Sequence, residues 1–337
     1  MKLLITGGAG FLGARLARTL LARGTLAGRP IDRLILADRV APDRALLADP
    51  RVSVDVGDLL ERIPSLLRER PEGVFHLASA VSGECEADFD LGMRSNLDTT
   101  RALLDACRAA GNSPRLVFAS SVAVFGSDPA IPLPPVVRDD TLPTPQSSYG
   151  IQKFVCEQLI ADYTRKGFLD GRAARLMTVS VRPGRPNAAA SGFLSGVIRE
   201  PLAGLRANCP VPLDTAVALA SPASTIDGLI AVFEASREAF GGRTAMNLPA
   251  LTVTVRQMIE ALREVGGEAA VSKLTFEPDA NVARIVGGWP SRFETRRACA
   301  LGLKADESFV AIVHQYVRDN PEAVTVPVVQ AQTCHPR

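Results

Sequence analysis

Short apolar runs alternate with helical patterns through the first half of the chain, and few folds accommodate that order. The runs are Leu3-Leu4-Ile5, Leu34-Ile35-Leu36, Val52-Ser53-Val54, Gly73-Val74-Phe75-His76-Leu77 and Leu116-Val117-Phe118. The spacing predicts helices over 10–23 and 96–110, a further helix over 149–165 and a strand near 177–182. Uniformly apolar strands separated by helices are covered on both faces, which means a parallel sheet with helices above and below. The expected fold class is α/β, a Rossmann doubly wound parallel sheet of six or seven strands.

At 337 residues the chain exceeds the usual single-domain size, so the sheet should carry a smaller second lobe. Beyond Pro183 the pattern loosens, with Gly, Pro, Ser and Asn concentrated over 183–224 and helical stretches at 224–238, 254–265 and 305–318. The expected division is a dinucleotide-binding domain over 1–183, catalytic residues included, and a C-terminal substrate-binding lobe over 184–320 with some segments returning to the sheet. Residues 321–337 show no periodicity and should form a mobile tail.

The charges nearly cancel, at a formal +2, so no basic field points to nucleic acid. The six cysteines, at 85, 107, 156, 209, 299 and 334, form no CxxC pair and have no histidines at metal spacing, so no metal is expected. No stretch is long and apolar enough to span a bilayer, and the chain opens on a strand-like run from Lys2 to Thr6 rather than a signal core. A cytoplasmic protein with no membrane partner is expected.

Where the first strand turns into the first helix, the chain reads Gly7-Gly8-Ala9-Gly10-Phe11-Leu12-Gly13, a GxxGxxG spacing. Glycines there permit a tight turn and close approach of backbone to a pyrophosphate, and the helix N-terminus supplies free N–H groups. The second strand ends in Asp38, from which a carboxylate can accept hydrogen bonds from ribose hydroxyls. Because that carboxylate repels a 2′-phosphate, NAD is favoured over NADP, although Arg39 offers a phosphate partner. Asp58-Leu59, after the third strand, fits an adenine clamp or a plain helix cap.

Tyr149 and Lys153 are four apart at the start of a predicted helix and share a face. An ammonium beside a tyrosine favours the phenolate, which makes the pair a proton acceptor at neutral pH. Ser120-Ser121 follows the strand at 116–118, at the same carboxyl edge, where a hydroxyl can polarise a forming carbonyl. Asn96, at the start of its helix, fits a cap, a bend or the ordering of a water beside Lys153.

These motifs occur in the order found in the extended short-chain dehydrogenases, the NAD-dependent epimerase/dehydratase family, which the first 183 residues resemble. They are the glycine turn, Asp38, Asp58-Leu59, His76-Leu77-Ala78-Ser79, Asn96-Leu97-Asp98-Thr99-Thr100, Ser120-Ser121 with Val124-Phe125-Gly126, Tyr149 to Lys153, and Arg182-Pro183. The resemblance implies NAD as cofactor and catalytic roles for Ser121, Tyr149, Lys153 and Asn96. Ser121 rather than Ser120 keeps the family's distance to the Val-x-Gly motif. The resemblance also implies that Ala78, Ser79, Ala80 and Pro183 border the dinucleotide with Gly7, Gly10, Phe11, Leu12 and Gly13.

The second half departs from the nucleotide-sugar members. Arg182 to Gly192, the run from Ser195 to Leu202 and Gly288-Trp289-Pro290 look instead like members of the family that oxidise the C2 hydroxyl of a small sugar acid, D-erythronate. Arg185, with a forked set of donors, is the expected carboxylate anchor, and Ser82, Asn187 and Ser191 the hydroxyl partners. The competing readings are a nucleotide-sugar epimerase or dehydratase that keeps NAD bound, and a dinucleotide-binding regulator without catalysis. Family members often pair through the helices that follow Asn96 and Tyr149, so a homodimer is expected.

Overall fold

The computed structural model describes residues 1–184 and 191–328. Strands β1 (Lys2–Thr6), β2 (Arg33–Asp38), β3 (Val52–Val56), β4 (Gly73–His76), β5 (Arg115–Ser121) and β6 (Asp170–Leu176) build the sheet. Two short strands follow, β7 (Thr178–Val179) and β8 (Ala216–Ala220), then β9 (Met246–Asn247) and β10 (Leu251–Thr254). The main sheet has seven parallel strands in the order β9–β6–β5–β4–β1–β2–β3. The chain reverses direction across the sheet between β1 and β4, which opens a crevice at their carboxyl ends.

The helices that cover it are α1 (Phe11–Arg23), α2 (Leu59–Arg68), α3 (Ser82–Ala87), α4 (Thr99–Ala110), α5 (Ser148–Arg165) and, further on, α6 (Gly192–Leu202), α7 (Pro222–Glu234), α8 (Val255–Val271) and α9 (Phe309–Asp319). Alternation along β1 divides the core. Leu3 and Ile5 pack with Leu16 and Leu20 of α1 and Leu229 and Phe233 of α7. Leu4 faces the other way, into Ile63 and Leu66 of α2, Leu103 of α4 and Ile160 of α5. Each fully buried side chain of this size contributes roughly 1.5–3 kcal/mol. A separate core joins α6, α8 and α9 to β8 and β10 through Ile198, Leu262, Ile312, Leu219 and Val253.

Three expectations are corrected. The strand placed near 177–182 lies instead at Asp170–Leu176, because its sequence, Asp-Gly-Arg-Ala-Ala-Arg-Leu, hides a buried strand behind two arginines. Arg172 is wholly buried, its guanidinium donating to the Val232 and Ala235 carbonyls at the end of α7 at 2.6 Å each, and pairing with Asp170. Arg175 is matched by Glu157 of α5 at 2.7 Å. The 96–110 helix begins later than expected: Asn96 sits inside a π-helical turn, Met93–Asp98, that runs into α4. The first part of the expected mobile tail is packed, since Val324, Val326 and Val328 lie against the second core and the Thr325 amide donates to the Leu202 carbonyl at 2.9 Å. Residues 329–337 lie outside the described residues. Among the described residues no helix is long and apolar enough to cross a membrane.

Candidate active site

A groove of about 550 Å³ runs along the carboxyl ends of β2, β1, β4 and β5. Its floor at β1 is the glycine turn. Gly7 adopts a φ of 72°, and a Cβ on Gly13 would stand 2.0 Å from the Gly7 carbonyl oxygen, so the helix could not approach the turn with any side chain there. Gly10, Phe11 and Leu12 line the same end. The Asp38 carboxylate at the tip of β2 accepts from the amides of Ala9 at 2.9 Å and Gly10 at 3.2 Å, tying strand and turn together at the groove wall.

Asp58 and Leu59 lie across from it. Asp58 caps α2 through the Leu60 amide at 2.9 Å, and its other oxygen takes Arg94 at 2.9 Å. Arg94 holds the Asp58 carboxyl below its ordinary range, so the acid is an anion already partnered within the protein. Arg94 itself lines the groove, a cation that the motif search missed because it belongs to no motif.

Farther along, Ala78, Ser79 and Ala80 form the wall beside β4. They are held from behind. Asn96 is buried in its π turn, and its side-chain oxygen accepts from the Ala80 amide at 2.8 Å and the Ser79 hydroxyl at 2.9 Å. Its own carbonyl accepts from Thr100 Oγ1 at 2.6 Å. Asn96 is not among the groove-lining residues; its side chain braces the Ser79–Ala80 wall from behind.

Thr100 continues that network. Since its hydroxyl hydrogen goes to Asn96, it must accept from His76 Nε2, at 2.9 Å, which leaves Nδ1 to accept from Thr6 Oγ1 at 2.6 Å. Complete burial and the nearby Lys153 cation push the His76 imidazole down to about 3, so it is neutral.

The catalytic candidates converge at the far end. Lys153 is buried, donates to the Ala119 carbonyl at 2.9 Å and stands 5.5 Å from the Tyr149 ring centre. The serines separate: Ser120 is buried and donates to Glu157 at 2.5 Å, whereas Ser121 lies half-buried on the groove and accepts the Ala123 amide at 3.1 Å. Tyr149, Lys153 and Ser121 thus share one wall.

Arg182 enters the same end of the groove. Its backbone is clamped by α6, with the amide donating to Ser195 Oγ at 3.0 Å and the carbonyl accepting from Arg199 at 2.8 Å. Burial lowers the guanidinium below its ordinary value, partly offset by the Tyr149 oxygen, and no carboxylate pairs with it among the described residues. The substrate candidates fare unevenly. Ser82 borders an adjoining cavity of about 1140 Å³ instead of the groove. Ser191 precedes α6 and lines neither space. Pro183 faces a small pocket behind Phe11, and Arg185 and Asn187 lie outside the described residues.

The pattern of the NAD dependent epimerase/dehydratase family matches residues 3–215, and the chain belongs to that family. It is 53% identical over 327 residues to a D-erythronate dehydrogenase of Cupriavidus necator, covering 95% of this chain and 98% of that one. It is 43% identical over 321 residues to a D-erythronate dehydrogenase of Haemophilus influenzae, covering 94% and 99%. Among solved structures it is similar to a nucleoside-diphosphate-sugar epimerase from Agrobacterium tumefaciens, with a TM-score of 0.89 and 42% identity over 96% and 95% of the two chains. L-threonine 3-dehydrogenase from Trypanosoma brucei, at 22% identity and a TM-score of 0.82, shares the fold.

Proposed function

We propose that this enzyme oxidises the C2 hydroxyl of D-erythronate to the 2-oxo acid, with NAD as hydride acceptor. The observation that carries the reading is the meeting of Tyr149, Lys153 and Ser121 with a half-buried arginine, Arg182, at one end of a groove long enough for a dinucleotide. The residues present fit NAD: an open glycine turn at a helix N-terminus, an acid at the tip of β2 and a buried ammonium at the far end. Bound there, NAD supplies a ring that accepts the hydride from C2.

The protein's part is positioning and proton transfer. The Tyr149 oxygen takes the hydroxyl proton, and Lys153 places a positive charge beside it. Ser121 donates to the oxygen that becomes the carbonyl. Arg182 takes the role first assigned to Arg185 and grips the carboxylate, which fixes C2 next to Tyr149; a half-buried cation with no acid paired to it among the described residues suits an anionic substrate. Two close relatives bearing the name of this activity support the reading.

A nucleotide-sugar epimerase, the name carried by one similar structure, is the second reading, and the large cavity next to the groove would have room for its substrate. NADH formation separates the two: a dehydrogenase accumulates NADH with sugar acid and added NAD, and an epimerase given a UDP-sugar does not. Residues 184–320 then act mainly as the substrate-binding lobe. The protein works in the cytoplasm, and it pairs through α5, where Ile151 and Val155 lie exposed on one face near the exposed Phe89. Light scattering at the mass of a single chain would rule the pairing out.

A further inference from the structure

We infer that Gln152 is a positioning residue for the cofactor: acting through Asn96, it holds Ser79 and Ala80 where they wall the groove. Gln152 precedes Lys153 on α5 and is buried. The argument starts from the Ala80 amide, which can only donate, so the Asn96 atom facing it must be the side-chain oxygen. That oxygen also faces the Ser79 hydroxyl, whose one hydrogen it shares with the Ala80 carbonyl, both at 2.9 Å. With its oxygen committed, Asn96 turns its NH₂ toward the Ala80 carbonyl and Cys85 Sγ, each at 3.3 Å, and toward Gln152, where the atom it meets at 2.8 Å must be the acceptor, Oε1.

The rest of the glutamine is poorly served by the fold. Its NH₂ is buried with no partner among the described residues, pressed against Gly92, where a Cβ would come within 2.7 Å of it. A buried donor left unpaired lowers stability, and a methionine of similar length would avoid that cost. Folding alone therefore does not call for an amide at 152. The bond to Asn96 does, because it is the shortest of those made by the NH₂ of the group that ties down the Ser79–Ala80 wall. The link also joins the helix carrying Tyr149 and Lys153 to the opposite side of the groove.

This inference rests on Ser79 and Ala80 belonging to the NAD site, and a double-mutant cycle read by calorimetric titration of NAD tests both. Gln152→Met and Ser79→Ala should each weaken NAD binding about threefold to tenfold, the worth of one neutral hydrogen bond. The double variant should bind no worse than the weaker single one, since both act on Asn96. Gln152→Glu, which keeps an oxygen facing Asn96, should restore most of the affinity. The melting temperature of Gln152→Met should be unchanged or higher, and kcat at saturating NAD should hold within about twofold. Normal NAD binding by Gln152→Met beside weakened binding by Ser79→Ala would overturn the inference alone. Normal binding by Ser79→Ala would overturn the wall reading and the inference with it. Fully multiplicative effects, equal weakening by Gln152→Glu, or a loss confined to kcat would each remove Gln152 from the role.

Discussion

The hydroxyl of Ser120 donates to Glu157 at 2.5 Å, inside the protein, where the same carboxylate is gripped by Arg175 at 2.7 and 2.9 Å. Both serines border the groove, but Ser120's hydrogen is committed, which leaves Ser121 as the one of the pair free to donate there. Ser121→Ala should lower kcat by about a hundredfold or more, the usual scale for removing a donor to a developing carbonyl oxygen. Ser120→Ala should instead cost about 1–3 kcal/mol of stability while kcat stays within a few-fold. Steady-state kinetics and chemical denaturation on both variants check the assignment.

Arg182→Met should raise the Michaelis constant for a sugar acid by at least tenfold, given that a hydrogen bond to a charged group is worth about 1.5–3 kcal/mol. NAD binding should change little. Arg182→Lys should recover only part of the loss, because an ammonium cannot pair bidentately with a carboxylate. A Michaelis constant within about twofold of wild type in Arg182→Met, below the worth of a charged hydrogen bond, would move the anchor elsewhere.

His76 makes a pH prediction. Its imidazole is held neutral, near 3, in the folded protein, while an unfolded histidine titrates at about 6.5. The unfolded state therefore binds a proton that the native state refuses. The stability His76 contributes is complete above about pH 6.5 and is lost as pH falls toward 3, at up to about 1.4 kcal/mol per pH unit. Urea denaturation between these limits should show that slope in wild type and a shallower one in His76→Gln. Equal slopes would mean that His76 is accessible to protons in the fold.

The sheet was legible because its strands are uniformly apolar and its turns are marked by glycine and acid. Ser121, at a strand end, and Tyr149 and Lys153, four apart on one helix face, stand out in sequence by position and spacing. What escaped was decided by tertiary partners. Asp170–Leu176 read as polar because nothing in its sequence announces that Asp170, Glu157 and the end of α7 neutralise Arg172 and Arg175. Asn96 read as a cap, a bend or a solvent-ordering group; the π turn is an irregularity of the second kind, and it turns the amide inward toward Ala80. Arg185 is the anchor the sequence favours and lies outside the described residues, whereas Arg182 stands half-buried on the groove near Tyr149. The packing of Val324, Val326 and Val328 was hidden because the segment is tied to Leu202, at the end of α6, far back in the chain.

The most direct test follows NADH absorbance in a mixture of enzyme, NAD and D-erythronate, with UDP-sugars in parallel, for wild type and Tyr149→Phe. Wild type should accumulate NADH with the sugar acid and none with the UDP-sugars. Tyr149→Phe, which keeps the ring and loses the proton-accepting oxygen, should be slower by at least about a hundredfold while still folding and binding NAD. Turnover of a UDP-sugar without net NADH, or a Tyr149→Phe variant close to wild-type activity, would contradict the account.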